Sequence, residues 1–284
     1  MIELPGTATR SMADDVRAAI ASGAVELPPL PELTLRVRKM IESEDADAKA
    51  VAAMIRHDAA VSAAVIRVAN SAAYGGLQTV TDLGPAVVRL GLRVVGAVVV
   101  VVAHKGNFHS ADPARLKLLR SLWDHAVATA ICARRIARTG TGDAEEAFLA
   151  GLLHDAGRLL TLRAVDYLEQ QGHAQVTLAV VEDLMDLLHA ELGTQVLESW
   201  KLPEPVCRVA RQHHDPAAAA TDLLVARVQA GCAVARKVGA HTHPDPHLRL
   251  LELPCVDRLK LGDLELASLM VDLEDEVAEI RRLL

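Results

Sequence analysis

The residues of this chain best suited to chemistry are histidines. Twelve occur in 284 residues. His125, His154, His189, His213 and His214, with Asp155 beside His154, are of the types that ligate borderline divalent metals such as iron, manganese or zinc. A neutral imidazole offers one ring nitrogen as a donor, and a carboxylate adds the negative charge that holds a dication. Adjacent residues near helix ends, here His154-Asp155 and His213-His214, can converge with ligands from facing helices. A single histidine more often fills a core or surface position than a ligand position, so it is the set that points to a metal. Leu122, His125, Thr129, Cys132 and Ile136 recur at steps of three and four, which carries His125 on the inward face of a helix.

Helices must position these residues. Hydrophobic residues make up 51% of the chain but aromatics only 2%, so the core is built from Ala, Val and Leu, which suits closely packed helices and argues against a β-sandwich. An all-α fold is expected, opening with a leader helix within residues 1–23. Leu27-Pro28-Pro29-Leu30-Pro31 forbids a continuous helix and then releases one over 32–43, with Leu33, Val37, Met40 and Ile41 on one face. Asp47, Asp58 and Thr81 read as N-caps of the next helices. Within 92–104, Val98 to Val102 favour a strand by local propensity, but no partner strand is evident and a helix is expected. A long helix follows over 115–138, then one opened by Asp143 and Glu146 as a capping box and ended at His154-Asp155. Further helices are expected over 176–189, 190–200, 204–213, 219–239 and 263–284. Leu30, Leu33 and Val37 should pack an N-terminal core, and Leu152, Leu153 and Leu188 a second one.

A net charge of −7 argues against a general grip on nucleic acid. The basic stretch Arg115, Lys117, Arg120, Arg134, Arg135 and Arg138 reads as the solvated side of a helix. Cys132, Cys207, Cys232 and Cys255 show no CxxC pairing, which fits reduced thiols in a cytoplasmic protein. The longest apolar run, Val94 to Ala103, is too short to span a bilayer core of about 30 Å, so no membrane is expected as a partner. His241-Thr-His243-Pro-Asp-Pro-His247 has metal-like composition but reads as a polar surface loop, and Asn70, Ser71 and Tyr74 as capping and turn residues.

Seven segments in order resemble the successive signatures of the HDOD family: Leu27-Pro-Pro-Leu-Pro-Glu32, Val68-Ala-Asn-Ser-Ala-Ala-Tyr-Gly75, Leu122-Trp-Asp-His125, Phe148-Leu-Ala-Gly-Leu-Leu-His-Asp-Ala-Gly157, His189-Ala-Glu-Leu-Gly193, Trp200-Lys-Leu-Pro203 and Gln212-His-His-Asp-Pro216. HDOD proteins are a branch of the HD-type metal phosphohydrolase fold in which catalysis has usually been lost, and they serve bacterial signalling and regulation. The resemblance implies a domain over 24–240, with a helical N-terminal subdomain over 24–112 packed on an HD-like bundle over 113–240, followed by a C-terminal loop and helices over 241–284. It also implies a first metal position at His125, His154 and Asp155, and a second-metal set at His189, His213 and His214.

Two departures from the active relatives bear on activity. Aligning Ala230-Gly-Cys-Ala-Val-Ala-Arg236 with the late Ala-Asp segment of active relatives puts Cys232 where they carry Asp. Arg158 follows Gly157 where relatives active on cyclic dinucleotides tend to carry Lys before a Gly-Tyr-Pro signature; a guanidinium suits phosphate, although an exposed helix-end arginine is the commoner role. The expected function is therefore a non-catalytic regulatory module acting through protein or ligand binding, with signalling proteins as partners. The competing expectation is a metal-dependent phosphohydrolase acting on a nucleotide or cyclic dinucleotide.

Overall fold

The computed structural model describes residues 7–28, 31–41, 43, 46–71, 74–76 and 78–283, and every regular element among them is helical. In chain order these are α1 (Thr7–Ala21), α2 (Glu32–Ile41), α3 (Ala48–Ile55), α4 (Ala59–Ala69), α5 (Leu83–Leu90), α6 (Leu92–Lys105), α7 (Pro113–Thr139), α8 (Ala144–Leu153), α9 (Ala156–Gln170), α10 (Leu178–Ser199), α11 (Glu204–Gln212), α12 (Pro216–Thr221), α13 (Leu223–Lys237), a 3₁₀ turn at Leu250–Glu252, α14 (Pro254–Leu259) and α15 (Asp263–Leu283). No single helix among the described residues is long and apolar enough to cross a membrane.

Aspartates begin many of these helices. Asp47, Asp58, Asp112, Asp143, Asp215 and Asp222 each accept hydrogen bonds from first-turn amides, satisfying donors that the helix itself leaves open. The expected cap at Thr81 is displaced by one residue: Asp82 holds the N-cap position, with no side-chain hydrogen bond. Helix α10 runs unbroken through the expected break near residue 190, because no proline or left-handed residue interrupts it. The expected helix over 219–239 is instead divided, since Asp222 leaves helical geometry to cap α13 through the amides of Leu224 and Val225.

Two apolar cores organise the chain. The smaller is built from α2 to α6 and includes Val37, Val51, Ile55, Val65 and Val87, with Leu33 packed at its edge; Leu30 lies outside the described residues. The larger gathers α1 and α6 through α15, and holds Leu152, Leu153 and Leu188, each at most 1% exposed. Helix α6 serves both: Val95, Val98 and Val99 face the smaller core, while Ala97, Val100 and Val101 face the larger. Burial on both sides explains why a helix carries a valine run that local propensity would assign to a strand. Gly91, at φ +76°, permits the 110° bend between α5 and α6.

Candidate metal centre

The larger core is also where the singled-out histidines meet. His125 comes from α7, His154 and Asp155 from the turn joining α8 to α9, His189 from α10, His213 and His214 from the end of α11, and Cys232 from α13. Small residues let these elements approach. A Cβ on Gly151 would lie 2.8 Å from the Ala130 Cα of α7, and one on Gly157 would lie 2.8 Å from the His189 carbonyl carbon of α10. Both contacts are with backbone, so glycine at these positions draws the His154-Asp155 turn against two helices.

The side chains form two groups, in each of which the donor atoms lie within 4.8 Å of one another: Asp155, His189, His213 and His214, and beside them His125, His154 and Cys232. Asp155 stands between them. Its Oδ1 is 3.4 Å from Nε2 of both His189 and His213, and its Oδ2 is 3.6 Å from His154 Nε2. In the second group, Cys232 Sγ is 3.3 Å from His154 Nε2 and 3.7 Å from His125 Nε2.

Backbone carbonyls fix the tautomers. His125 Nδ1 donates to Ala240 O at 3.0 Å, His154 Nδ1 to Gly151 O at 2.7 Å, His189 Nδ1 to Met185 O at 2.7 Å, and His213 Nδ1 to Ala210 O at 3.0 Å. A carbonyl can only accept, so each ring carries a proton on Nδ1 and turns Nε2 inward, the arrangement that outer hydrogen-bond partners impose on metal-bound histidines. Burial lowers the pKa of His125, His154 and His189 to about 3 and that of His214 to about 4, which keeps the rings neutral near pH 7. Burial alone would raise Asp155, but the Arg158 guanidinium beside it holds it well below the usual carboxylate range.

A lone pair and a carboxylate thus converge, with no proton on the inward nitrogen of the neutral His189 ring. Asp155 Oδ1 is buried without a hydrogen-bond partner, and His189 Nε2 approaches His213 Nε2 at 3.3 Å and His214 Nε2 at 2.8 Å. A lone pair on His189 Nε2 set 3.4 Å from an unpartnered carboxylate oxygen is unfavourable unless a cation lies between them, and three imidazoles with one carboxylate suit zinc, manganese or iron. The donor set therefore fits the divalent metal that the sequence implies.

Several expectations need correction. Arg158 is not an exposed helix end: it is 7% exposed, and it donates to Asp155 Oδ2 at 2.8 Å and to Asp186 Oδ1 at 2.6 Å. Its charge is committed to orienting Asp155. Arg134, expected on a solvated face, is buried between the rings of Tyr74 and Phe148 and donates to the Tyr74 hydroxyl at 2.8 Å, while Arg115 pairs with Asp166 and Glu169. Asn70 caps α4 as expected, and its amide also clamps Val80 through both backbone groups. The loop at 241–247 is only partly a surface loop: His243 and His247 are exposed, but the His241 ring lies 4.6 Å from that of His125 and its pKa is lowered by burial to about 3. His241 and the Ala240 carbonyl were not anticipated as parts of the site; the histidine-rich composition of the loop was the one available signal.

Comparison with known proteins follows the same architecture. The chain is 22% identical to a candidate metal-dependent phosphohydrolase of Shewanella amazonensis, with a TM-score of 0.76 over 95% of this chain and 98% of that one. It is 23% identical to an HDOD domain protein of unknown function from Geobacter sulfurreducens, with a TM-score of 0.69 over 96% and 97% of the two chains. Both likenesses establish a shared fold. An uncharacterized protein of Treponema pallidum is 30% identical over 207 residues, which cover 70% of this chain and 39% of the relative's own length. An HDOD domain matches residues 27–216, a span that ends short of Cys232 and His241 but carries His125 through His214. Because that span is well over half of the 284 residues, the chain belongs to the HDOD family.

Proposed function

We propose that this HDOD protein is a regulatory module that holds a divalent transition metal in its helical core without hydrolysing phosphate esters. The observation that carries the metal is the convergence of carbonyl-oriented Nε2 lone pairs on the unpartnered Asp155 Oδ1. Asp155, His189, His213 and His214 would hold the ion, with Arg158 and Asp186 fixing the Asp155 carboxylate. Two features argue against turnover. Cys232 stands at the position of a carboxylate in active relatives, and the one buried guanidinium at the site is already paired with two carboxylates, so it is not available to a substrate phosphate. A bound dication in this fold class supplies Lewis acidity and a water of lowered pKa; without the second carboxylate, its position and that of the water are less firmly set.

On this reading the pocket senses or stores the metal, and the outer faces of the two cores present its state to signalling proteins. The competing reading, a phosphohydrolase acting on a nucleotide or cyclic dinucleotide, draws on the name borne by the Shewanella relative. The two separate in an assay of zinc-, manganese- and iron-loaded protein against cyclic dinucleotides, nucleotides and generic phosphodiesters, beside a His154→Ala, Asp155→Ala variant. No difference from the variant is expected. Turnover at about 1 s⁻¹ or faster that disappears in the variant would establish the hydrolase instead.

A further inference from the structure

We infer that Cys232 joins His125 and His154 as a thiolate-containing subsite, which takes a borderline-soft divalent cation, zinc or cobalt, in preference to manganese or magnesium. The inference rests on the metal-binding reading above and assigns a cation class to the half of the site that departs from the active relatives.

The separations among the donor atoms carry it. Around a tetrahedral zinc ion, a sulfur at about 2.3 Å and an imidazole nitrogen at about 2.0–2.1 Å stand about 3.5–3.6 Å apart. Cys232 Sγ lies 3.3 Å from His154 Nε2 and 3.7 Å from His125 Nε2, on either side of that value. Both nitrogens present lone pairs, because Gly151 O and Ala240 O hold the Nδ1 protons. The sulfur also has its own outer partner: Thr129 Oγ1, one helical turn beyond His125 on α7, donates to it at 3.8 Å, while burial and then the Asp155 carboxylate push the thiol pKa well up, so the sulfur gives up its proton only to an arriving cation. Asp155 Oδ2, 3.6 Å from His154 Nε2, lies close enough to complete a two-nitrogen, one-sulfur, one-oxygen set.

Thiolate, not thiol, is the ligand, so uptake of the cation forms a metal–sulfur bond, breaks the S–H bond and passes the proton to solvent. Hard cations gain little from sulfur and prefer oxygen; zinc and cobalt gain most from the nitrogen and sulfur set. The neighbouring group of three imidazoles and Asp155 has no sulfur and so does not share this preference.

Cobalt(II) chloride added to metal-free full-length protein reads the subsite directly, because a thiolate bound to cobalt gives an intense near-ultraviolet charge-transfer band that imidazole and carboxylate do not. The band is expected in the unaltered protein, is retained in Cys132→Ser and is lost in Cys232→Ser. Zinc affinity should fall roughly 100-fold or more in Cys232→Ser, beyond the tenfold to 100-fold typical for losing an outer partner. Cys232→Asp should reverse the preference, strengthening manganese binding while weakening zinc. Cobalt bound by the unaltered protein without a charge-transfer band overturns this subsite and leaves the Asp155, His189, His213, His214 reading standing. Failure of the unaltered protein to bind cobalt at all overturns both.

Discussion

Replacing Gly157 by alanine should pry α9 from α10 and weaken stability and metal retention together. The added Cβ would sit 2.8 Å from the His189 carbonyl carbon, and closer still to the His189 oxygen and the Gly193 amide. These are helix backbone atoms, with no rotamer to relieve the contact, so the helices must part by roughly 1 Å, a gap that forfeits a quarter to a half of the contact attraction along the seam. Leu160, Leu184, Leu188 and Leu192, all at most 1% exposed, are among the buried side chains these two helices contribute. Overpacking usually costs about 1–3 kcal/mol, and the upper end, about 3 kcal/mol, is expected where only backbone can yield. That corresponds to a fall in melting temperature of roughly 6–12 °C. The same displacement separates Asp155 from His189, and since ligand distances tolerate only about 0.2 Å, zinc affinity should fall at least about tenfold. Urea denaturation followed by far-ultraviolet circular dichroism, with a zinc titration on the same preparations, measures both. A Gly157→Ala protein with unaltered unfolding and unaltered zinc affinity would refute the close-approach argument.

Other expectations follow from single sites. Leu153→Ala, at a position 0% exposed, should cost about 2–5 kcal/mol; an unchanged melting curve would show the α8 face to be misassigned. His104, between Phe108 and Trp200 with Nδ1 unpartnered, has its pKa lowered by burial from 6.5 to about 4. Its neutral form therefore contributes stability that is fully present above pH 6.5 and is lost as pH falls toward 4, about 3 kcal/mol in all. His104→Leu should remove that part of the acid sensitivity, and equal pH dependence of unfolding in the two proteins would contradict it. Chelation of the metal should leave the helical circular dichroism spectrum intact, because the apolar core holding the site is large; collapse of the fold on chelation would mark the metal as structural.

What could be read in the sequence was local chemistry repeated often enough to reinforce itself. Aspartate caps announced the helix starts at Asp47, Asp58 and Asp143, and the spacing around His125 announced an inward face, because these signals depend on neighbours within one or two turns. The partial strand preference of Val98 to Val102 was misleading for a physical reason: a helix covered on two sides loses the alternation that would identify it. The burial of Arg158 and Arg134 is not legible in the sequence because their partners, Asp186 and Tyr74, lie on other elements, and only the tertiary fold brings those charges and rings together. The same holds for His241, whose approach to His125 depends on where the chain turns after α13. The carbonyls that set the ring tautomers have no sequence signature at all, since any residue supplies one.

Elemental analysis after zinc reconstitution and dialysis puts the metal centre to its plainest test. The unaltered protein should retain at least one ion per chain, and an Asp155→Asn, His189→Ala, Cys232→Ser variant of unchanged helicity, in which both donor groups are broken, should retain none. Unaltered protein that emerges free of metal, or a variant that holds as much as the parent, would show that these converging side chains are not a metal site.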